Sequence, residues 1–285
     1  MGRITARRRV TRIRRDATPS TRADVLAVEE PLEIRVNGGR LTVTMRTPGN
    51  DVDLAFGFLV SEGVITRGDQ IDTARYCAGA TDEGRNTYNV LDVTLAPDVP
   101  PPAPDLARSL TTTSACGVCG KDSIESVTTR SAFDPAADPL VVDADVLLDL
   151  PTRLREGQSV FDKTGGLHAA AIIDGHTGDI VVLREDVGRH NAVDKAIGWA
   201  TAAHRLPLRG HILQVSGRAS FELVQKAAMA GIPMLSAVSA PSSLAVDLAD
   251  DRGITLVGFS RGESMVLYTR PDRIRTSAAA SAVVS

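Results

Sequence analysis

From residue 167 to 258 the chain alternates short apolar runs with helix-like stretches, and this alternation restricts its fold more than any other feature. The runs 167–173, 180–183, 211–215, 234–238 and 254–258 have the length and apolar content of buried strands. Between them, 192–203, 220–230 and 244–250 predict helices. Strand–helix alternation of this kind implies an α/β domain with a largely parallel sheet.

The first half reads differently. Leu32, Ile34 and Val36 alternate before Asn37-Gly38-Gly39-Arg40, and Leu41, Val43 and Met45 alternate after it, which predicts a hairpin. Residues 53–64 predict a helix with Leu54, Phe58 and Leu59 on one face, stopping near Gly63. Residues 88–96 form another alternating strand, and five prolines between 97 and 104 mark a loop or linker. The expected organisation is a disordered basic tail over 1–15, an α+β part over 16–130, and an α/β domain over 131–285. The tail holds seven arginines and no acid in a chain of net charge −3, so the other 270 residues sum to −10. No aromatic residue is interleaved with those arginines, so nothing favours nucleic acid. No run approaches the apolar length of a membrane span. The Arg-rich N-terminus lacks the apolar core of a secretory signal.

In the second half, small polar loops repeatedly abut strands: 164–168, 184–191, 216–220, 239–243 and 259–264. Glycine lets backbone N–H groups approach a ligand, a helix N-terminus favours negative charge, and an arginine fork matches phosphate. Loops on the C-terminal edge of an open α/β sheet are where ligands usually bind. Arg189, His190 and Ser216-Gly217-Arg218 are therefore candidate contacts for a phosphate-rich ligand. Asp186 is expected to hold Arg189, and His168 to be a satisfied core histidine. Neither a P-loop nor a G-x-G-x-x-G is present.

The other chemical signal is Cys116-Gly117-Val118-Cys119. Two thiols at this spacing suit a metal half-site, a dithiol redox centre, or a nucleophilic sulfur with a helper. A zinc site needs four ligands, and no histidine pair follows at finger spacing. A thioredoxin-like dithiol would open the helix of a βαβ unit, whereas this one follows a proline-rich loop. A persulfide carrier needs a flexible loop, an ionised thiol and nearby positive charge. Gly117, Gly120 and Lys121, with a helix start capped by Asp122, would supply them. With three cysteines in all, no disulfide framework is expected, which points to a reducing compartment such as the cytoplasm. Cys77 reads as a small hydrophobe.

Several blocks together resemble the formate dehydrogenase accessory sulfurtransferases, the FdhD family. They are 55–63, the Cys116–Cys119 block, Thr164–Ala170, Glu185–Lys195, Ser216–Glu222 and Ala237–Ala245. The resemblance runs from about residue 25 to 270. It implies a sulfurtransferase that takes persulfide sulfur from a cysteine desulfurase onto Cys116, assisted by Cys119. The sulfur would pass to the molybdenum of a bis(molybdopterin guanine dinucleotide) cofactor destined for formate dehydrogenase. It also implies cofactor contacts at Phe259, Ser260, Arg261, Gly262, Glu263 and Ser264, a homodimer, and a C-terminal domain of cytidine-deaminase-like fold. Deaminase chemistry is not expected with it: His168 lacks a glutamate two residues on, and no P-C-x-x-C lies downstream. No metal site is expected. The alternative is a non-enzymatic chaperone that binds and delivers the cofactor without sulfur chemistry.

Overall fold

A computed structural model describes residues 4–77, 88–103, 106 and 131–276. The chain opens with an antiparallel ribbon, β1 (Thr5–Arg14) and β2 (Ala17–Ala27), joined at Arg15-Asp16. The disordered tail expected over 1–15 is thus corrected from residue 5 onward. A backbone ladder runs from Thr5–Ala27 to Arg14–Ala17, and Asp16 takes the left-handed conformation that closes the turn. Threonine, valine and isoleucine between the arginines suit extended backbone.

β3 (Glu30–Val36) and β4 (Gly39–Arg46) form the expected hairpin. Its turn residues Asn37 and Gly38 both have positive φ, which an Asn-Gly pair adopts at low cost. α1 (Asp51–Ser61) follows, then β5 (Ile71–Tyr76) and β6 (Val90–Leu95), giving a four-stranded sheet of order β4-β3-β6-β5.

The second half contains β7 (Val142–Asp143), α2 (Ala144–Glu156), the short α3 (Phe161–Thr164), β8 (His168–Asp174), β9 (Ile180–Asp186) and α4 (Arg189–Ala202). It continues with β10 (His211–Val215), α5 (Phe221–Met229), β11 (Met234–Ala237), α6 (Ser243–Asp251), β12 (Thr255–Arg261), β13 (Ser264–Thr269) and β14 (Ile274–Arg275). The main sheet has the order β13-β12-β11-β10-β8-β9. Only β10–β11 and β11–β12 pair in parallel, so the largely parallel sheet expected from the sequence is corrected to a mixed one. The reason lies in the connections. β8–β9 and β12–β13 are joined by tight turns, which permit only antiparallel pairing, while α5 and α6 supply the two parallel crossovers.

Side-chain alternation sends the two faces of this sheet to different cores. Ala169, Ala171, Ile173, Ile212, Met234 and Val257 meet Leu147, Leu150 and Leu154 of α2. Ala170, Ile172, Leu213, Val215, Leu235 and Leu256 join a larger core with α4 and α5 that continues into α1, β3 and β6 of the first half. α1 and α4 cross backbone to backbone: a Cβ on Gly57 would overlap the Asp194 carbonyl, and one on Gly198 would overlap that of Asp53.

Buried polar contacts reinforce this junction. Asp194 accepts from Lys226 Nζ and Ser61 Oγ, each at 2.7 Å. Lys195 lies 2.6 Å from Asp186 and donates to the Thr47 carbonyl at 2.8 Å. Arg184 pairs with Asp53 at 2.8 Å. Within the first half, Arg46 is 1% exposed and pairs with Asp51 at 2.9 Å. Tyr76 donates to Asp51 at 3.1 Å, and burial beside that carboxylate pushes the phenol up to about 12. No helix among the described residues is long and apolar enough to cross a membrane.

Candidate functional site at one edge of the main sheet

Strand direction gathers the candidate loops. β9 runs opposite to β8 and β8 opposite to β10, so β9, β10, β11 and β12 point the same way and end on one edge. β8 begins on that edge with His168, and β13 begins there with Ser264. α4, α5 and α6 start immediately after the ends of β9, β10 and β11. Their first N–H groups lack helical partners and carry the positive end of the helix dipole.

One cluster forms around Gly217. Ser216 Oγ accepts from the Ala169 N–H at 2.9 Å and lies 3.5 Å from His168 Nδ1, toward which its own hydrogen can point. A Cβ on Gly217 would sit 3.5 Å from His168 Nδ1 and 3.8 Å from Arg189 Cδ, so His168, Gly217 and Arg189 are neighbours. Burial, then the charges of Arg189 and His190, push the His168 imidazole below its ordinary value, which makes it neutral near pH 7. His168 is half-buried and faces the site, where the sequence suggested a core residue. Arg189 Nε is buried and has no hydrogen-bond partner among the described residues. Arg218 is exposed and makes no ion pair or hydrogen bond within the described residues. A buried cationic N–H without a partner beside free guanidinium and backbone donors fits an anionic ligand.

His190 leads into a feature that sequence reasoning missed. Its Nε2 is 3.4 Å from Ser220 Oγ and 3.8 Å from Glu222 Oε2. Burial opposes ionisation of Glu222, but polar contacts with His190 and Ser220 prevail and hold its carboxyl at about 2. The available signal was Ser220-Phe221-Glu222 at a helix start, an acid in the first turn.

Asp186 does not hold Arg189 as the sequence suggested. It is fully buried against Lys195, and it accepts from the N–H groups of Thr47 and Gly188 at 3.1 and 2.8 Å and from Asn191 at 3.1 Å. Lys195 wins because it comes from the buried side of α4, with its ammonium enclosed and needing a counter-charge.

The block 259–264 divides by side. β12 ends with Phe259 and Arg261 exposed and Ser260 buried between them. Ser260 is therefore corrected as a contact residue. Its hydroxyl donates to the Leu147 carbonyl at 3.2 Å, the acceptor that Pro151, lacking an N–H, leaves unpaired within α2. Phe259 has φ of 50° at a register shift in the β12–β13 ladder, which aims its ring outward. Gly258 permits this, since a Cβ there would come within 3.0 Å of Pro241 Cδ. Arg261 donates to the Val238 carbonyl at 3.3 Å, with its guanidinium 6.0 Å from the Phe259 ring centre. Gly262 and Glu263 form the exposed hairpin turn, and Ser264 is exposed beside it. The edge thus pairs an outward aromatic face with guanidinium groups, which suits a base joined to phosphates.

Cys116, Cys119, Lys121 and Asp122 lie outside the described residues. Among the described residues, no three His, Cys, Asp or Glu side chains cluster in a way that could hold a metal ion.

Comparison with known proteins adds a second line of support. A family model described as the FdhD/NarQ family matches residues 27–275. The sulfur carrier protein FdhD of Mycobacterium tuberculosis is 58% identical over 277 residues, covering 96% of this chain and 100% of that protein. The Streptomyces coelicolor protein of the same name is 58% identical over 281 residues, covering 98% and 99%. A crystal structure described as a formate dehydrogenase accessory protein from Desulfotalea psychrophila superposes with a TM-score of 0.73. It covers 96% of this chain and 100% of that one at 24% identity, a likeness of fold.

Proposed function

The chain belongs to the FdhD/NarQ family, and from that premise we propose that it is a sulfur carrier serving the maturation of formate dehydrogenase. The relatives' name supports sulfur transfer, and the resemblance of the sequence blocks to the formate dehydrogenase accessory family supports the client enzyme. The observation that carries the finer reading is the sheet edge. Arg189 with its unpartnered Nε, Arg218, Arg261 and Phe259 make a surface suited to a nucleotide-bearing anionic cargo. We take that cargo to be the bis(molybdopterin guanine dinucleotide) form of the molybdenum cofactor, a substrate rather than a resident group.

In this reading Arg189, His190, Ser216, Gly217 and Arg218 receive phosphates, while Phe259 and Arg261 receive a guanine. Neutral His168 orients polar groups of the cargo through its free ring nitrogen. The sulfur arrives on Cys116. Its thiolate attacks the outer sulfur of a persulfide R–S–SH on a cysteine desulfurase, the donor S–S bond breaks, and R–S⁻ leaves as Cys116–S–SH forms. The step is redox-neutral. Cys119 assists release: its thiolate attacks the inner sulfur of Cys116–S–SH, the S–S bond to the carried sulfur breaks, and that sulfur leaves as hydrosulfide to the cargo. The Cys116–Cys119 disulfide is returned to two thiols by a dithiol reductant. The setting is the cytoplasm, supported by the small cysteine count, and the assembly a homodimer, supported by the family resemblance alone.

Intact mass spectrometry after incubation with a cysteine desulfurase and cysteine tests the sulfur step. Addition of one sulfur atom that Cys116→Ala abolishes is expected. No thiol-dependent addition leaves the non-enzymatic chaperone as the correct reading. Binding of guanosine diphosphate tests the edge separately. The double variant Arg218→Ala/Arg261→Ala should weaken it about tenfold or more, consistent with the loss of charge-assisted contacts.

A further inference from the structure

The β1–β2 ribbon has a surface that neither the sulfur chemistry nor the cargo edge uses. It is a two-stranded sheet, so the outer edge of each strand presents unpaired backbone groups among the described residues. Its base is anchored by the Val28 N–H to the Ile4 carbonyl at 2.9 Å and by contact of β2 with α3. Beyond the base, both faces meet solvent. A free two-stranded ribbon is marginal in water and gains most from a covering partner.

The side chains define that partner. Arg7, Arg8, Arg9, Arg12 and Arg14 lie on β1 and are exposed. None of them makes an ion pair within the described residues, whereas Arg22 on β2 is held by Asp24 at 3.2 Å. Arg7, Arg8, Arg9, Thr21, Arg22 and Ala23 line an open hollow of about 470 Å³. Successive residues of a strand face opposite ways, so the consecutive Arg7, Arg8 and Arg9 place charge on both faces. Ile13 on β1 is 78% exposed near the tip, giving apolar contact at that end. Edge-to-edge pairing with the same ribbon of another copy would set arginine beside arginine, which disfavours it. Residues 4–27 contain no aromatic side chain on which a base could stack.

We infer that the outer edge of β1 is a docking site for an extended acidic segment of a partner protein, which adds as a third strand. Consecutive carboxylates on that segment meet guanidinium groups on both faces, and a flanking aliphatic residue covers Ile13. This holds whether or not the sulfur reading is correct.

Fluorescence anisotropy on the full chain tests it, using a labelled peptide of consecutive glutamates flanked by valine and threonine. Binding at low salt that weakens steeply as salt rises is expected, with slowed hydrogen exchange of β1 amides. The variant Arg7→Glu/Arg8→Glu/Arg9→Glu should lose about tenfold or more in affinity, and Arg12→Glu alone a smaller factor. Both substitute exposed positions and should leave the melting of the body unchanged. A peptide of equal charge with glutamates on alternate residues should bind more weakly, since it meets one face only. The inference is overturned by absence of binding at low salt, by unchanged β1 exchange, or by undiminished affinity in the triple variant. Equal affinity for the alternating peptide also overturns it, as does a single-stranded oligonucleotide that binds more tightly and that the peptide cannot displace.

Discussion

Single residues at the sheet edge divide into those that face a ligand and those that hold the edge in place, and the two kinds predict different failures. Ser260 is of the second kind. Ser260→Ala leaves the Leu147 carbonyl buried and unpaired, so it should cost about 1–3 kcal/mol in chemical denaturation while nucleotide affinity stays unchanged. Glu222 makes a pH-dependent prediction. Its carboxyl titrates at about 2 in the folded chain against an ordinary 4.5, so the unfolded chain binds the proton more tightly. Its stabilising contribution is complete above 4.5 and is lost as pH falls toward 2. Thermal melts over this range should show a shallower acid decline for Glu222→Gln than for the parent. Arg189 and Arg218 were legible as neighbours because strand-to-helix loops announce a shared edge, whereas Phe259 and Arg261 were singled out through the family resemblance. The roles of Asp186 and Ser260 were not legible. Asp186 pairs with Lys195 nine residues away, and Ser260 answers a carbonyl orphaned by Pro151 in a distant helix; both depend on packing that no local pattern encodes.

At the level of elements, the α1–α4 crossing is the most exacting contact in the structure. Helix axes this close leave no volume for a side chain at Gly57 or Gly198. Gly57→Ala or Gly198→Ala should therefore destabilise by about 3 kcal/mol or more, measured by urea unfolding, even though alanine has the higher helix propensity. The strands and helices of the second half were readable because each buries one consistent face. The ribbon was not, because neither of its faces is buried, and its period of two is masked by arginine on both sides. Antiparallel pairing of β9 and β13 was likewise hidden, since an apolar strand looks the same whichever way its neighbour runs.

At the scale of the whole molecule, the two halves share one apolar core, the Arg184–Asp53 ion pair and buried hydrogen bonds from Ser61 to Asp194 and from Lys195 to the Thr47 carbonyl, and they should unfold together. Trp199 on α4 is the only tryptophan, so its fluorescence reports the junction, while far-UV circular dichroism reports the whole chain. The two unfolding curves should coincide in the parent protein. Lys226→Met should lower stability by about 3–5 kcal/mol in the same measurement, because Asp194 would remain buried without its cation.

The glycine crossing also has a consequence for how such chains can diverge. Each of its two glycines is required because the other helix brings its main chain to the same point, whatever side chain that point carries. A recombinant that takes α1 from one parent and α4 from another should therefore keep the crossing wherever each parent carries its glycine, whatever happens to the ribbon and the loops.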